Sequence, residues 1–241
     1  MTLDKDTTPD PRSAPPRRPR RTLLIAGSIL GAVMVGVVVW IVFFSSLLVL
    51  STVQVDGVEV LSEEEVAQQA AAPLGLPLAR VAERPIAERV AEITAVDEVT
   101  VRRRWPDTLQ IEVTERVPVF CLGDRGVGDS VAVTLVDIDG AHFPGPCRAG
   151  LPAGEGPLGN PLLLAEAATV LVHLPPELAD RVVLIEFPSR ESLNVQLDDE
   201  VEVFFGSAEE AELKGEVALA LINATDAERV DVSAPSRPTA R

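Results

Sequence analysis

The sequence predicts an α+β protein with one N-terminal transmembrane helix, a β-α-α-β-β domain, and a mixed β-domain with two helices. Three observations carry this expectation. Thr22–Leu50 runs 29 residues without a charge. Residues 51–115 follow the order strand, helix, helix, strand, strand. Beyond residue 119, alternating apolar runs are broken by Asp-Gly, Pro-rich and acidic turns, with two helical stretches between them.

The charge-free stretch comes first. As a helix, Thr22–Leu50 would be roughly 43 Å long, more than the ~30 Å hydrocarbon core it has to cross. In lipid each backbone N–H and C=O must find its partner within the segment, so a run of this kind is helical. Leu23–Phe43 is its most apolar part. Trp40, Phe43 and Phe44 are expected at the far headgroup layer, with residues 45–50 continuing the helix toward the folded part. A cleaved signal peptide is the alternative, but its apolar region spans about 7–15 residues, roughly half of this one. Gly27-x-x-x-Gly31 has a spacing that lets a second helix approach, and it is also what an Ala/Gly-rich span contains by composition alone.

The flanks orient the helix. Lys5 and five arginines against Asp4, Asp6 and Asp10 give residues 1–21 a charge of +3; the chain totals −16, which leaves −19 beyond the span. Positive charge stays on the cytoplasmic side. The chain is therefore expected to be single-pass type II in the plasma membrane, with about 190 residues outside. Residues 1–21 hold five prolines and almost no large apolar side chains, so they are read as a disordered cytoplasmic tail. The acidic remainder repels phosphate and shows no basic stripe with interleaved aromatics, which argues against nucleic acid.

After the span, Ser51–Val55 is strand-like and ends in an Asp56-Gly57 turn. Ser62-Glu63-Glu64-Glu65 fits a capping box opening helix 62–71, which places Val66 and Ala70 on one face and stops at Pro73-Leu74-Gly75. A second helix begins near Pro85, with Ile86, Val90 and Ile93 at helical spacing. Val99, Val101 and Arg103 share one strand face, and Leu109, Ile111 and Val113 share the next, joined by a turn at Trp105-Pro106-Asp107. Alternation puts Arg102 and Arg104 on the wet face; a patch for lipid headgroups is the other use for those arginines.

These residues resemble a known family. VQVDGVEVLSEEEVAQQA, LPLARV and VDEVTVRRRWPDTLQIEVTERVPV look like the POTRA module of the FtsQ/DivIB bacterial division proteins. The match falls on Val99, Val101, Arg103, Trp105, Pro106, Leu109, Ile111, Val113, Glu115, Arg116 and Pro118. On that resemblance the chain divides into a tail (1–21), a transmembrane helix (22–50), a POTRA domain (51–118), an FtsQ-type β-domain (119–233) and a C-terminal tail (234–241).

In the β-domain, Val131–Asp137 alternates, and Val136-Asp137-Ile138-Asp139-Gly140 with Phe143 resembles the family's "LVD..G..F", a strand, a tight turn and a short strand. Residues 144–161, with five Gly and five Pro, read as an irregular surface loop. Helix 162–174 ends at Pro175-Pro176. Strands are expected at 182–187, 193–197 and 201–205, then a helix over 208–222 carrying Lys214. FFGSAEEAELKGEVALALI and the ending Val230-Asp231-Val232-Ser233-Ala234-Pro235 also resemble the family.

No catalytic constellation stands out: there is no Gly-x-Ser-x-Gly, Ser-x-x-Lys, P-loop or His-Glu-x-x-His. His142 and His173 are isolated, and Asp198-Asp199-Glu200 reads as a solvated turn ahead of a cation site. No cofactor, metal or small-molecule substrate is expected, and the chain is not expected to be an enzyme; a membrane-anchored envelope enzyme acting on the cell wall is the alternative. Cys121 and Cys147 fall where disulfides persist, and they form either a bridge or two separate buried thiols.

The resemblance implies a division scaffold at the septum that binds FtsB/DivIC and FtsL and helps control septal peptidoglycan synthesis. Partner binding is expected at the final strand, Val230–Ser233, through Arg229, Val230, Asp231, Val232 and Ser233, with Lys214 from the preceding helix. Val230 and Val232 should face the core while Arg229, Asp231 and Ser233 face outward. A strand added last should lie at the sheet edge, with residues 234–241 following it as a Pro-rich tail.

Overall fold

A computed structural model describes residues 20–45, 48–123 and 132–241. The expected tail at 1–21, apart from its last two residues, and Val131 of the alternating run lie outside the described residues. Helix α1 (Arg20–Phe44) contains a window, Gly27–Phe44, of mean hydropathy 2.5 with none of it buried. The helix stops six residues short of the expected Leu50. Val49 instead bridges Pro77, and Leu50 is 1% exposed in the core of the following domain, so packing there outweighs helical continuation.

The first domain is a three-stranded sheet backed by two helices. Strands β1 (Thr52–Asp56), β2 (Val96–Arg104) and β3 (Thr108–Glu115) take the order β1-β3-β2, with β1 parallel and β2 antiparallel to β3. Val101 lies opposite Ile111 and Val99 opposite Val113, the pairing that alternation demanded. Helices α2 (Glu63–Ala70) and α3 (Glu83–Val90) close the core with Val66, Ala70, Ile86 and Val90. Ser62 caps α2, its Oγ accepting the Glu65 N–H at 3.1 Å, a bond worth about 1 kcal/mol. Pro85 stands third in α3, where its missing N–H is still one the helix would leave unpaired. Between the helices, Leu78–Arg80 forms a single 3₁₀ turn.

The second domain is a nine-stranded sheet in the order β12-β11-β10-β9-β8-β7-β4-β5-β6. Its strands are β4 (Phe120–Leu122), β5 (Ala132–Val136), β6 (His142–Pro146), β7 (Ala153–Glu155), β8 (Val182–Glu186), β9 (Leu193–Leu197), β10 (Glu202–Gly206), β11 (Arg229–Asp231) and β12 (Thr239–Ala240). Helices α4 (Pro161–Val172), α5 (Pro176–Ala179) and α6 (Ala211–Ala224) lie along the chain between them. Leu164, Ala167, Ala168 and Leu171 of α4 and Ala218 of α6 share one core with Phe120, Phe187 and Phe205.

The stretch expected as an irregular loop, 144–161, contains the end of β6 and all of β7. Strand β7 runs parallel to both β4 and β8, in the interior of the sheet. Gly154 is what admits it: a Cβ there would stand 2.4 Å from Phe120 Cδ2. A Gly-rich segment can thus be a strand wherever aromatic rings already fill the space a side chain would take.

Cys121 of β4 and Cys147, just after β6, form a disulfide with Cα atoms 5.9 Å apart. It closes a 26-residue separation, which in the chain-entropy account restricts the unfolded state by about 3–4 kcal/mol.

One buried acid joins the two domains. Asp137 is 3% exposed. Its Oδ1 accepts the N–H groups of Asp139 (3.0 Å) and Ala141 (2.8 Å), and its Oδ2 accepts Arg116 Nη1 at 2.6 Å. Arg116 follows β3 directly, donates its own N–H to Ala95 O at 2.9 Å, and also lies 3.3 Å from Asp97. Replacing Asp137 by Ala leaves two N–H groups without their acceptor and the guanidinium with only the more exposed Asp97. The Asp137→Ala fragment 48–241 should lose about 3 kcal/mol in urea unfolding, and Asp137→Asn clearly less. A loss below about 1 kcal/mol in the alanine variant would show that the pair does not hold the junction.

Candidate partner-binding surface

The end of the sheet built by β10, β11 and β12 contains five of the six residues expected to meet a partner. Strand β11 lies parallel to β10, with Val203 opposite Val230 and Phe204 opposite Asp231. Parallel pairing requires a crossover, and α6 supplies it. Val230 and Val232 are fully buried, as the alternation predicts, and Val232 N–H donates to Phe204 O at 2.9 Å.

The opposite face of these strands looks outward. Arg229 Nε donates to Glu202 Oε2 at 2.8 Å across the β10–β11 pair. Asp231 Oδ1 accepts both the N–H (2.9 Å) and the Oγ (2.7 Å) of Ser233, closing a local turn that leads the chain off the strand. With Glu186, Asn194, Glu202 and Phe204, residues Arg229 and Asp231 line a shallow depression of about 390 Å³. Glu202 and Phe204 were not singled out from the sequence, although their alternation with buried Val203 and Phe205 marks them as outward.

Two expectations need correction. Strand β11 is not the edge. After Ser233 the chain turns back, and β12 pairs antiparallel with β11, Val230 opposite Ala240 and Asp231 opposite Thr239. Arg229 and Arg241 exchange both main-chain bonds, at 3.0 and 2.9 Å. The prolines at 235 and 238 had suggested a tail that adds no strand, but they occupy the turn, and Thr239-Ala240 after them pairs normally.

Lys214 is the second. It is 3% exposed, and its ammonium donates to Phe205 O (3.1 Å), Ser207 O (2.9 Å) and Ser207 Oγ (3.4 Å). Burial pushes its pKa below the ordinary lysine value, while the charges of Glu209 and Glu210 pull the other way. Its donors are spent on tying α6 to the chain leaving β10. The acidic run is also committed: Asp198 and Asp199 pair with Arg181. Among the described residues no group of three or more His, Cys, Asp or Glu side chains could hold a metal ion.

Residues 48–116 match the FtsQ-type POTRA domain, and residues 127–233 match the C-terminal region of cell division protein FtsQ/DivIB. Cell division protein FtsQ of Streptomyces bingchenggensis is 33% identical over 235 residues, 92% of this chain and 87% of that protein. The chain belongs to the FtsQ/DivIB family. FtsQ of Streptomyces venezuelae is 34% identical over 245 residues, covering 98% of this chain and 89% of that one. FtsQ of Mycolicibacterium smegmatis is 32% identical over 236 residues, covering 96% and 69%. The extracytoplasmic domain of DivIB from Geobacillus stearothermophilus shows a looser likeness in structure, with TM-score 0.35 and 18% identity over 47% of this chain and 96% of that one.

In this family member Lys214 holds the sheet together. Lys214→Ala leaves two main-chain carbonyls without donors and should cost about 2–3 kcal/mol of stability, read as a lowered urea midpoint. Where the variant is still folded, its binding to any partner of the β10–β12 surface should match the parent. A drop in affinity without a drop in stability would return Lys214 to the binding surface.

Proposed function

We propose that this FtsQ/DivIB family protein is a non-enzymatic scaffold of the division complex. It is anchored in the plasma membrane by α1, acts at the septum, and binds FtsB/DivIC-type and FtsL-type partners, through which it helps control septal wall synthesis. The observation that carries the reading is the surface at the β12 end of the large sheet. There a polar outward face holds Glu202, Phe204, Arg229 and Asp231 beside a two-residue edge strand. An edge of this kind offers main-chain groups for affinity, and the neighbouring side chains supply selectivity. The full-length protein should capture a co-expressed FtsB/DivIC-type partner from membranes. Phe204→Ser combined with Arg229→Glu should cut that capture at least tenfold, and Ser233→Pro, which removes the N–H that Asp231 holds in the turn returning the chain as β12, should do the same, with far-ultraviolet circular dichroism unchanged. Undiminished capture by both folded variants would remove the site from this surface.

The orientation belongs to the same reading and rests on the charges of +3 before and −19 after the span. With Cys121 and Cys147 replaced by Ser, a cysteine at Ser13 should resist a membrane-impermeant thiol reagent in intact cells, and one at Ser236 should react. The reverse pattern would invert the topology.

A further inference from the structure

Three large apolar side chains stand exposed at the end of the first domain where the span enters it. Leu74 is 63% exposed, Leu76 44% and Trp105 50%. They come from two separate loops, and both loops are tied by main-chain hydrogen bonds to the residues that follow α1. Leu50 N–H donates to Leu76 O at 2.8 Å, and Gly75 N–H donates to Leu50 O at 2.9 Å. The Trp105–Asp107 turn is held from the same side: Ser51 N–H donates to Asp107 O at 2.9 Å and Thr52 N–H at 3.3 Å.

The height of these loops relative to the span is marked by one contact. Arg80 lies over the ring of Phe44, the last residue of α1, with its guanidinium carbon 4.4 Å from the ring centroid. The 3₁₀ turn directly after the loop that carries Leu74 and Leu76 thus touches the aromatic end of the apolar helix. Two exposed cations flank these loops: Arg80 in the 3₁₀ turn that follows Leu76, and Arg104 directly before Trp105. Arg104 reaches Gln54 from the wet face of β2, while Arg103 turns the other way to Val81 O. Of the acids nearby, Glu83 pairs with Arg103, and Asp107 keeps its charge while accepting Ser51 Oγ.

Trp and Leu beside Arg, at the end of a spanning helix, is the composition that the lipid headgroup layer favours: the ring and aliphatic chains bury in the acyl boundary and the guanidinium groups meet phosphate. We propose that Leu74, Leu76 and Trp105, with Arg80 and Arg104, form a membrane-seated foot that rests in the outer headgroup layer of the bilayer that α1 crosses. The inference rests on α1 lying in a bilayer. Lipid is the occupant because both loops are bonded to Leu50–Thr52, a few residues beyond α1, and Arg80 touches the last residue of that helix. Seated in this way, the first domain is held at a fixed tilt on the membrane instead of swinging on the chain after Phe44.

The chain has two tryptophans, one in the span and one in the foot, so each can be read alone. The full-length protein is reconstituted in vesicles of phosphatidylethanolamine and phosphatidylglycerol, with some acyl chains brominated close to the headgroup. Trp40→Phe leaves Trp105 as the reporter, and Trp105→Phe leaves Trp40. Trp105 fluorescence should fall at least twofold with the brominated lipid. Adding Leu74→Asp and Leu76→Asp should abolish most of that quenching while Trp40 quenching persists. Quenching of Trp40 without quenching of Trp105 overturns the foot and leaves the span in place. Absence of Trp40 quenching removes the bilayer reading and the foot with it. Trp105 shielded from aqueous acrylamide yet insensitive to bromine would mean that a second copy covers the surface, which also overturns the proposal.

Discussion

The relation between the two domains is anchored by a buried carboxylate. Asp137 uses both oxygens, one for the turn after β5 and the other for Arg116. Arg116 is itself fixed to the first domain through Ala95 and Asp97. An ionised acid at this depth is tolerated only while paired and hydrogen-bonded, because stripping its partner would leave a desolvated charge worth several kcal/mol. A hinge between the sheets would break that pair. Glu115, the residue before Arg116, fastens the other side: its carboxylate accepts the N–H groups of Glu59, Val60 and Leu61. Two adjacent charged residues at the end of β3 thus hold the loop after β1 and the turn after β5, and only Val117, Pro118 and Val119 remain between Arg116 and β4.

The large sheet is built under a different constraint, a shortage of aromatic residues. Its core has Phe120, Phe187 and Phe205 at the centre and reaches close packing elsewhere by removing side chains. Gly154 lets β7 slide against two of those rings. Gly215 lets α6 approach the chain after α4, where a Cβ would lie 2.8 Å from Pro175 Cδ. Gly140, at φ +76°, turns after Asp137 with its α-carbon against the start of α4, where a Cβ would meet Pro161 O at 2.1 Å. The "D..G" pattern is therefore a junction device: the acid fixes Arg116 and the glycine admits α4.

Legibility in the sequence followed the range of the signal. The apolar helix α1, the paired β2 and β3, the cap of α2 and the apolar faces of α2 and α3 are local or period-bound, and the folded elements were readable from Ser62, Val66, Ile86, Val101 and Ile111. Strands β4 and β7 were not, because three-residue strands carry no alternation to detect and Gly154 has no side chain to reveal burial. The outward residues Arg229, Asp231 and Ser233 followed from alternation around Val230 and Val232. The burial of Lys214 did not follow, since an isolated lysine on a helix gives no sign that two carbonyls at the end of β10 will need it. The return of the chain as β12 was hidden for a similar reason: Pro235 and Pro238 signal a break, and nothing local announces that two residues after them complete a ladder.

The two edges of the nine-stranded sheet differ in what they offer another strand. At one end β6 carries Pro144 and Pro146, which have no N–H to give, and the Cys121–Cys147 disulfide lies immediately beyond it. At the other end Arg229 and Arg241 bond to each other, so alternation turns the N–H and C=O of Ala240, the residue between Thr239 and Arg241, away from β11. That outer edge has its donors intact, but β12 is only two residues long. A strand this short is a weak template by itself, which keeps the edge from pairing indiscriminately. Any strand that binds there must gain the rest of its affinity and its selectivity from the neighbouring outward face, where Arg229 meets Glu202 and Asp231 stands opposite Phe204. Edge and face are adjacent in space, and both are set by the parallel crossover through α6 that Lys214 holds in place.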